Sequence, residues 1–206
     1  MKRYQKLAIF GGTFSPVHNG HLRAMQAYAD AVRPDILYVI PTAGTPRKPR
    51  QDTVTDAQRL EMLRLALSDV LISCPVHISD MELRRGGNSY TVDTLTELDA
   101  LADELFMFCG SDMLLTMENW VRFEELKTLA SIVYMQREGD SKHTEMLAEK
   151  AAFLTERYGA RLIALTASPL EISSGEIRTA VQKGESISSF VPHKVAEYIA
   201  IKGLYT

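Results

Sequence analysis

Six short apolar runs recur along the chain, at residues 7–10, 36–40, 76–78, 105–108, 132–135 and 161–165, and helix-period segments lie between most of them. Strands that alternate with helices pair as a parallel sheet, because each crossover helix carries the chain back to the end of the sheet where it began. The expected architecture is α/β, a doubly wound parallel sheet with helices on both faces and right-handed crossovers. A chain of 206 residues, 46% of them hydrophobic, can bury a full core without disulfides, so residues 1–206 are expected to form one domain.

The same composition narrows the partners. A net charge of −3 argues against a broad basic surface, so no nucleic acid polymer is expected, and anion binding must come from local clusters. Cys74 and Cys109 have neither metal spacing nor the look of a disulfide framework, and Cys109 follows a strand-like run, where it should be buried. No apolar stretch reaches the roughly 18 residues needed to span a bilayer. The first ten residues hold Lys2, Arg3 and Lys6 but no long apolar region. A cytoplasmic protein without a membrane partner is expected, and a homo-oligomer is compatible with this reading.

Helix signals divide the intervening segments. Pro34 closes the helix after the first strand. Thr55 with Gln58, and Ser173 with Glu176, have capping-box spacing. Ser89 or Tyr90 opens a helix through Leu101, and another begins around His143 and runs to Tyr158. Pro192 suits a first helical position, and Gly203 suits a stop. The proline-rich segment 41–55 is long for a connection and reads as a mobile lid.

Two segments carry chemistry. The first is residues 11–21, GGTFSPVHNGH, directly after the run at 7–10. It reads as a strand, a glycine turn and a helix entered near Asn19 or Gly20. Such a junction is an anion site, because amide N–H groups point outward and the helix dipole adds positive charge. His18 and His21 add donors for phosphate oxygens. This segment offers no third or fourth ligand for zinc, so no metal site within the protein is expected. The second segment is ISSGEIR, residues 172–178. A capped helix explains Ser173 and Glu176 but leaves Ser174, Gly175 and Arg178 over; Arg178 can add a forked donor to phosphate.

Together these segments resemble the nucleotidyltransferase superfamily, with its paired-histidine motif and its ISSxxIR-like motif. The chain is more closely similar to the bacterial nicotinate-nucleotide adenylyltransferases. Asn88-Ser89-Tyr90-Thr91, Gly110-Ser111-Asp112-Met113, Trp120, Arg137 with Gly139, and Lys202-Gly203-Leu204-Tyr205 extend the resemblance over the whole chain, in order. It implies a Rossmann-like fold and the transfer of the adenylyl group of ATP to nicotinate mononucleotide, giving nicotinate adenine dinucleotide and pyrophosphate in NAD biosynthesis. Mg²⁺ would accompany ATP.

By the same resemblance, Gly11, Gly12 and Thr13 let amides approach the nucleotide. His18 and His21 hold ATP phosphates and act in catalysis with Arg178, while Ser173, Ser174 and Arg178 secure the β- and γ-phosphates. The mononucleotide would meet Trp120 through its π-face, the backbone at Thr91 and Val121, the carboxylate of Asp112, and Arg47, Lys48 and Arg137. Each of these also has a plainer reading: a half-buried tryptophan for Trp120, a helix N-cap for Asp112, a solvated basic loop for Arg47 and Lys48. Relatives often carry Asp where this chain has Ser15, and Pro-Pro-His-Lys where it has Thr45-Pro46-Arg47-Lys48. The alternatives are nicotinamide mononucleotide as acceptor, another adenylyl- or cytidylyltransferase, and a non-catalytic nucleotide-binding sensor of the same fold.

Overall fold

A computed structural model of the chain describes residues 3–44, 54–137, 141–167 and 172–206. Six strands, β1 (Tyr4–Gly12), β2 (Ile36–Pro41), β3 (Val76–Ile78), β4 (Ala102–Cys109), β5 (Ala130–Arg137) and β6 (Leu162–Ala167), form one sheet in the order β3-β2-β1-β4-β5-β6. Every neighbouring pair is parallel. All six expected strands are present. The chain builds outward from β1 through β2 to β3, then returns to β1's other side with β4. The strand order therefore reverses between β1 and β4, the kind of point where α/β sheets bind ligands, beyond the carboxyl ends of the strands.

Alternation along the central strands feeds two cores. Ala8 and Phe10 of β1 and Phe106 of β4 face one side, with Leu22 and Met25 of α1 (Asn19–Val32), Met62 and Leu63 of α2 (Asp56–Ser68), Ile177 of α8 (Ser174–Gln182) and Val195 of α9 (His193–Lys202). Leu7 and Ile9 of β1 and Leu105 and Met107 of β4 face the other, against Val92 and Leu95 of α4 (Thr91–Asp99), Leu126 of α6 (Phe123–Leu129) and Leu147 and Leu154 of α7 (Ser141–Tyr158). Helices thus cover both faces, as expected. Cys109 is buried at the end of β4. No helix among the described residues is long and apolar enough to cross a membrane.

Local signals set most boundaries. Thr55 caps α2 in a capping box with Gln58, and Gly203 ends α9 in the left-handed conformation that glycine adopts without a Cβ clash. Pro192 is the N-cap of α9, one residue outside the helix, and α4 stops at Asp99 because β4 begins at Ala102. Three short helices, α3 (Met81–Arg85), α5 (Ser111–Leu114) and α6, and a 3-10 turn at Met117–Asn119 were not expected. The sequence gives them too few turns to display a helical period. Most of the segment read as a lid lies outside the described residues.

Candidate active site

The glycine turn leaves β1 at the reversal point. Gly11 sits at the strand end, where a Cβ would meet nothing nearer than 4.0 Å. Gly12 is a steric requirement: a Cβ there would lie 2.9 Å from the Phe14 ring. Phe14 itself adopts φ of 50°, a left-handed conformation unusual for a bulky residue. Its ring holds that conformation, being buried between Phe10 (centroids 6.3 Å apart) and His21 (5.1 Å). The turn is therefore wedged into a fixed shape before the helix begins.

α1 then starts on an unusual cap. The His18 backbone N–H donates to His21 Nδ1 at 3.3 Å, and the His21 N–H donates to His18 Nδ1 at 3.4 Å. The two rings form a reciprocal capping box, with centroids 3.7 Å apart. This fixes both tautomers. An Nδ1 that accepts from an amide carries no proton, so in the neutral form each ring bears its proton on Nε2. Burial pushes His18 down to about 4, with the Glu176 carboxylate pulling weakly the other way. Burial and the neighbouring His18 push His21 to about 3. At neutral pH both are uncharged Nε2–H donors.

The second segment closes on the first. Arg178 of α8 donates through one terminal nitrogen to the Ser15 carbonyl at 2.7 Å, and Ser174 Oγ donates to the Pro16 carbonyl at 2.9 Å. Segments about 160 residues apart in sequence thus meet at the turn before His18. The expected capping box at α8 is present. Glu176 N–H donates to Ser173 Oγ at 3.2 Å, and Ser173 N–H donates to the Glu176 carboxylate at 2.9 Å. Ser173 Oγ also donates to Glu176 at 2.7 Å. Both serine hydroxyls therefore serve the fold, and the anion-binding capacity here lies in the amides of the first turn of α8 and in the Arg178 fork. An open groove of about 660 Å³ runs beside them, lined by Gly175, Glu176, Arg178 and Thr179 among others.

A third group forms on the β4 side. Thr91 is the first residue of α4, whose N-cap is Tyr90. Arg122, just after Val121, pairs with Asp93 of α4 at 2.6 Å and with Glu125 at 2.6 Å. That link brings Trp120 and Val121 to the Thr91 end of α4. Trp120 is half-buried against the core, and Val121 is exposed. Asp112 follows the end of β4 as the second residue of α5; the N-cap there is Gly110, so the capping alternative for Asp112 does not hold. Arg137 ends β5 at the same edge of the sheet. Arg47 and Lys48 lie outside the described residues. Among the described residues no group of three or more His, Cys, Asp or Glu side chains could hold a metal ion.

Sequence reasoning passed over Arg59, Arg122 and Glu82. Arg59 shares the buried face of α2 with Met62, Leu63 and Ala66, at i, i+3, i+4 and i+7, so a charge on an apolar stripe was the available signal. Glu82 is buried, accepts from Thr94 Oγ1 at 2.6 Å, and is raised above the usual carboxylate range by that burial.

Residues 9–180 match the cytidylyltransferase-like family. The probable nicotinate-nucleotide adenylyltransferase of Citrifermentans bemidjiense is 37% identical, over 97% of this chain and 98% of its own length. That of Lachnoclostridium phytofermentans is 34% identical, over 98% and 99%. Among solved structures, Plasmodium falciparum nicotinic acid mononucleotide adenylyltransferase complexed with NaAD superposes with a TM-score of 0.76 at 19% identity, covering 98% of this chain and 97% of that one. A putative nicotinate-nucleotide adenylyltransferase from Vibrio parahaemolyticus gives 0.63 at 21% identity, covering 98% and 95%; both share the fold. With its paired histidines and serine-capped helix joined at the strand reversal, the chain belongs to the cytidylyltransferase-like family and, within it, to the nicotinate-nucleotide adenylyltransferases.

Proposed function

We propose that residues 1–206 act as one nucleotidyltransferase domain that joins ATP to nicotinate mononucleotide, releasing pyrophosphate. The observation that carries this reading is the meeting of the His18–His21 cap with the first turn of α8 at the exit of β1. A phosphate oxygen of the mononucleotide attacks the α-phosphorus of ATP, the bond from that phosphorus to the bridging oxygen breaks, and pyrophosphate departs with its electron pair. No enzyme nucleophile is required. The protein's work is to hold two polyanions in line and to neutralise the charge that builds.

The roles are those the family resemblance implies, and the junction of His18, His21 and Arg178 supports the triphosphate part of them. The amides around Gly11–Thr13 line the approach to the α-phosphate. The neutral Nε2–H groups of His18 and His21 donate to phosphate oxygens without bringing charge that would over-stabilise the ground state. The α8 amides and the Arg178 fork hold the departing pyrophosphate. On the β4 side, the Trp120 face stacks on the pyridine ring, and the backbone at Thr91 and Val121 meets the carboxylate. Asp112 serves the ribose, Arg47 and Lys48 serve the mononucleotide phosphate, and Arg137 binds the mononucleotide. The donor set at the triphosphate is made of N–H groups, which suit phosphate oxygens and not a cation. A divalent ion, Mg²⁺ in this reading, would be carried on the remaining phosphate oxygens and water, where it would offset negative charge. Two free thiols, Cys74 and Cys109, suit a reducing compartment such as the cytoplasm.

The test is a side-by-side rate measurement with ATP, Mg²⁺ and either nicotinate or nicotinamide mononucleotide, following pyrophosphate and dinucleotide. Faster turnover of the nicotinate substrate is expected. Preference for the amide would reassign the acceptor, and binding without product would mark a sensor.

A further inference from the structure

Arg59, the fourth residue of α2, is fully buried, with a relative exposure of 0%. One terminal nitrogen donates to the Thr13 carbonyl at 2.7 Å. The other donates to the Thr42 carbonyl at 2.7 Å and to Asp56 Oδ1 at 2.8 Å. Its Nε lies buried without a partner among the described residues. Thr13 closes the glycine turn after β1, and Thr42 follows the end of β2. Between them the Thr42 N–H donates to the Gly12 carbonyl at 2.9 Å. A single planar fork therefore spans two adjacent strand exits.

Stability does not explain this residue. A buried guanidinium with an unsatisfied N–H is expensive to desolvate, and an apolar side chain of similar volume commonly serves as well or better. What the fork supplies is direction. The carbonyl and the following N–H of one peptide unit point opposite ways. Anchoring the Thr42 carbonyl on Arg59 turns the Ala43 N–H outward, where it donates to Ser89 Oγ at 3.0 Å. The Ser89 N–H in turn donates to the Gly44 carbonyl at 2.8 Å. Ser89 leads directly into Tyr90, the cap of α4, and Thr91. Anchoring the Thr13 carbonyl turns the Phe14 amide away from α2 in the same manner. A continuous run of hydrogen bonds thus joins the triphosphate turn to the Thr91 end of α4, with Arg59 at its centre.

We infer that Arg59 is a positioning residue that locks the two strand exits in one register, so that the turn holding ATP and the helix end receiving the mononucleotide stand at a fixed separation. This inference rests on the proposed function for the identity of the two substrates. Arg59 touches neither of them; it acts through two backbone carbonyls, a geometry that only a forked donor spans.

The experiment compares the parent chain with Arg59→Met and Arg59→Lys by thermal unfolding, by calorimetric titration with ATP alone, and by steady-state kinetics with both substrates. Arg59→Met is expected to fold, to bind ATP about tenfold more weakly, the scale of one lost hydrogen bond, and to lower kcat about 10²-fold, the scale of a misplacement near 1 Å. Arg59→Lys, which keeps the charge but loses the fork, is expected to fall between the two. Parent ATP affinity and parent kcat in folded Arg59→Met would overturn the proposal. If that variant does not fold, Arg59→Lys decides: parent values there overturn it equally. Should the parent bind ATP yet make no dinucleotide, the functional reading fails while the ATP affinities still decide the role of Arg59.

Discussion

In the proposed function His18 and His21 each do two jobs, and the jobs separate by substitution. Removing either ring would then take away a phosphate donor as well as half of the α1 cap. His18→Asn restores a strong capping residue without the imidazole. We expect its melting temperature to stay near the parent's while turnover falls about 10²-fold or more, the scale for one transition-state donor; parent-rate turnover would remove His18 from the chemistry. The tautomers are equally open to measurement. Nitrogen chemical shifts should place the proton of both rings on Nε2 at pH 7, and a proton on Nδ1 would contradict the reciprocal cap. For Trp120→Ala, the KM for the mononucleotide should rise much more than that for ATP, since the indole lies on the β4 side. Equal increases would make Trp120 a packing residue. All of these residues were legible as candidates because their types and spacing are local signals. Arg59 could be noticed only as a charge on an apolar stripe; its role was not legible, because it lies in two carbonyls remote in sequence, and carbonyl direction leaves no trace in residue type.

Elements show the same division. The strands could be read because each is a short apolar run bounded by turn residues, and α1, α2, α8 and α9 because a cap or a stop marks them. α5 and α6 could not, since 4 and 7 residues cannot display a helical period. Yet α6 matters to the site, because Arg122 at its N-cap ties the Trp120 segment to α4 through Asp93. At α8 the sequence reading offered Ser173 and Ser174 as phosphate ligands without choosing between hydroxyl and amide. Their hydroxyls bond Glu176 and Pro16, so in the proposed function the anion contacts there come from amides. Ser173→Ala should therefore lower stability by about 1 kcal/mol, the usual value of an N-cap, seen as a lower melting temperature. It should weaken ATP binding less than Arg178→Ala does. The reverse order of ATP affinities would return the phosphate role to the Ser173 hydroxyl.

For the molecule as a whole, the buried histidines make stability depend on pH. Unfolded imidazoles titrate near 6.5, whereas folded His18 and His21 stay neutral down to about 4 and about 3. Between these values the unfolded chain binds more protons, so this part of the stability is intact above about pH 6.5 and is lost as the pH falls toward 4. Melting temperatures from pH 7 to 4.5 should fall more steeply for the parent than for His18→Asn; equal slopes would show that His18 titrates alike in the folded and unfolded chain. The Arg178–Ser15 contact, 163 residues apart in sequence, has a further consequence, for synthesis. A chain emerging from the ribosome presents its histidines early but lacks their counterpart until α8 has followed. Nucleotide therefore cannot stabilise half-made product, and the early strands must survive on their own packing.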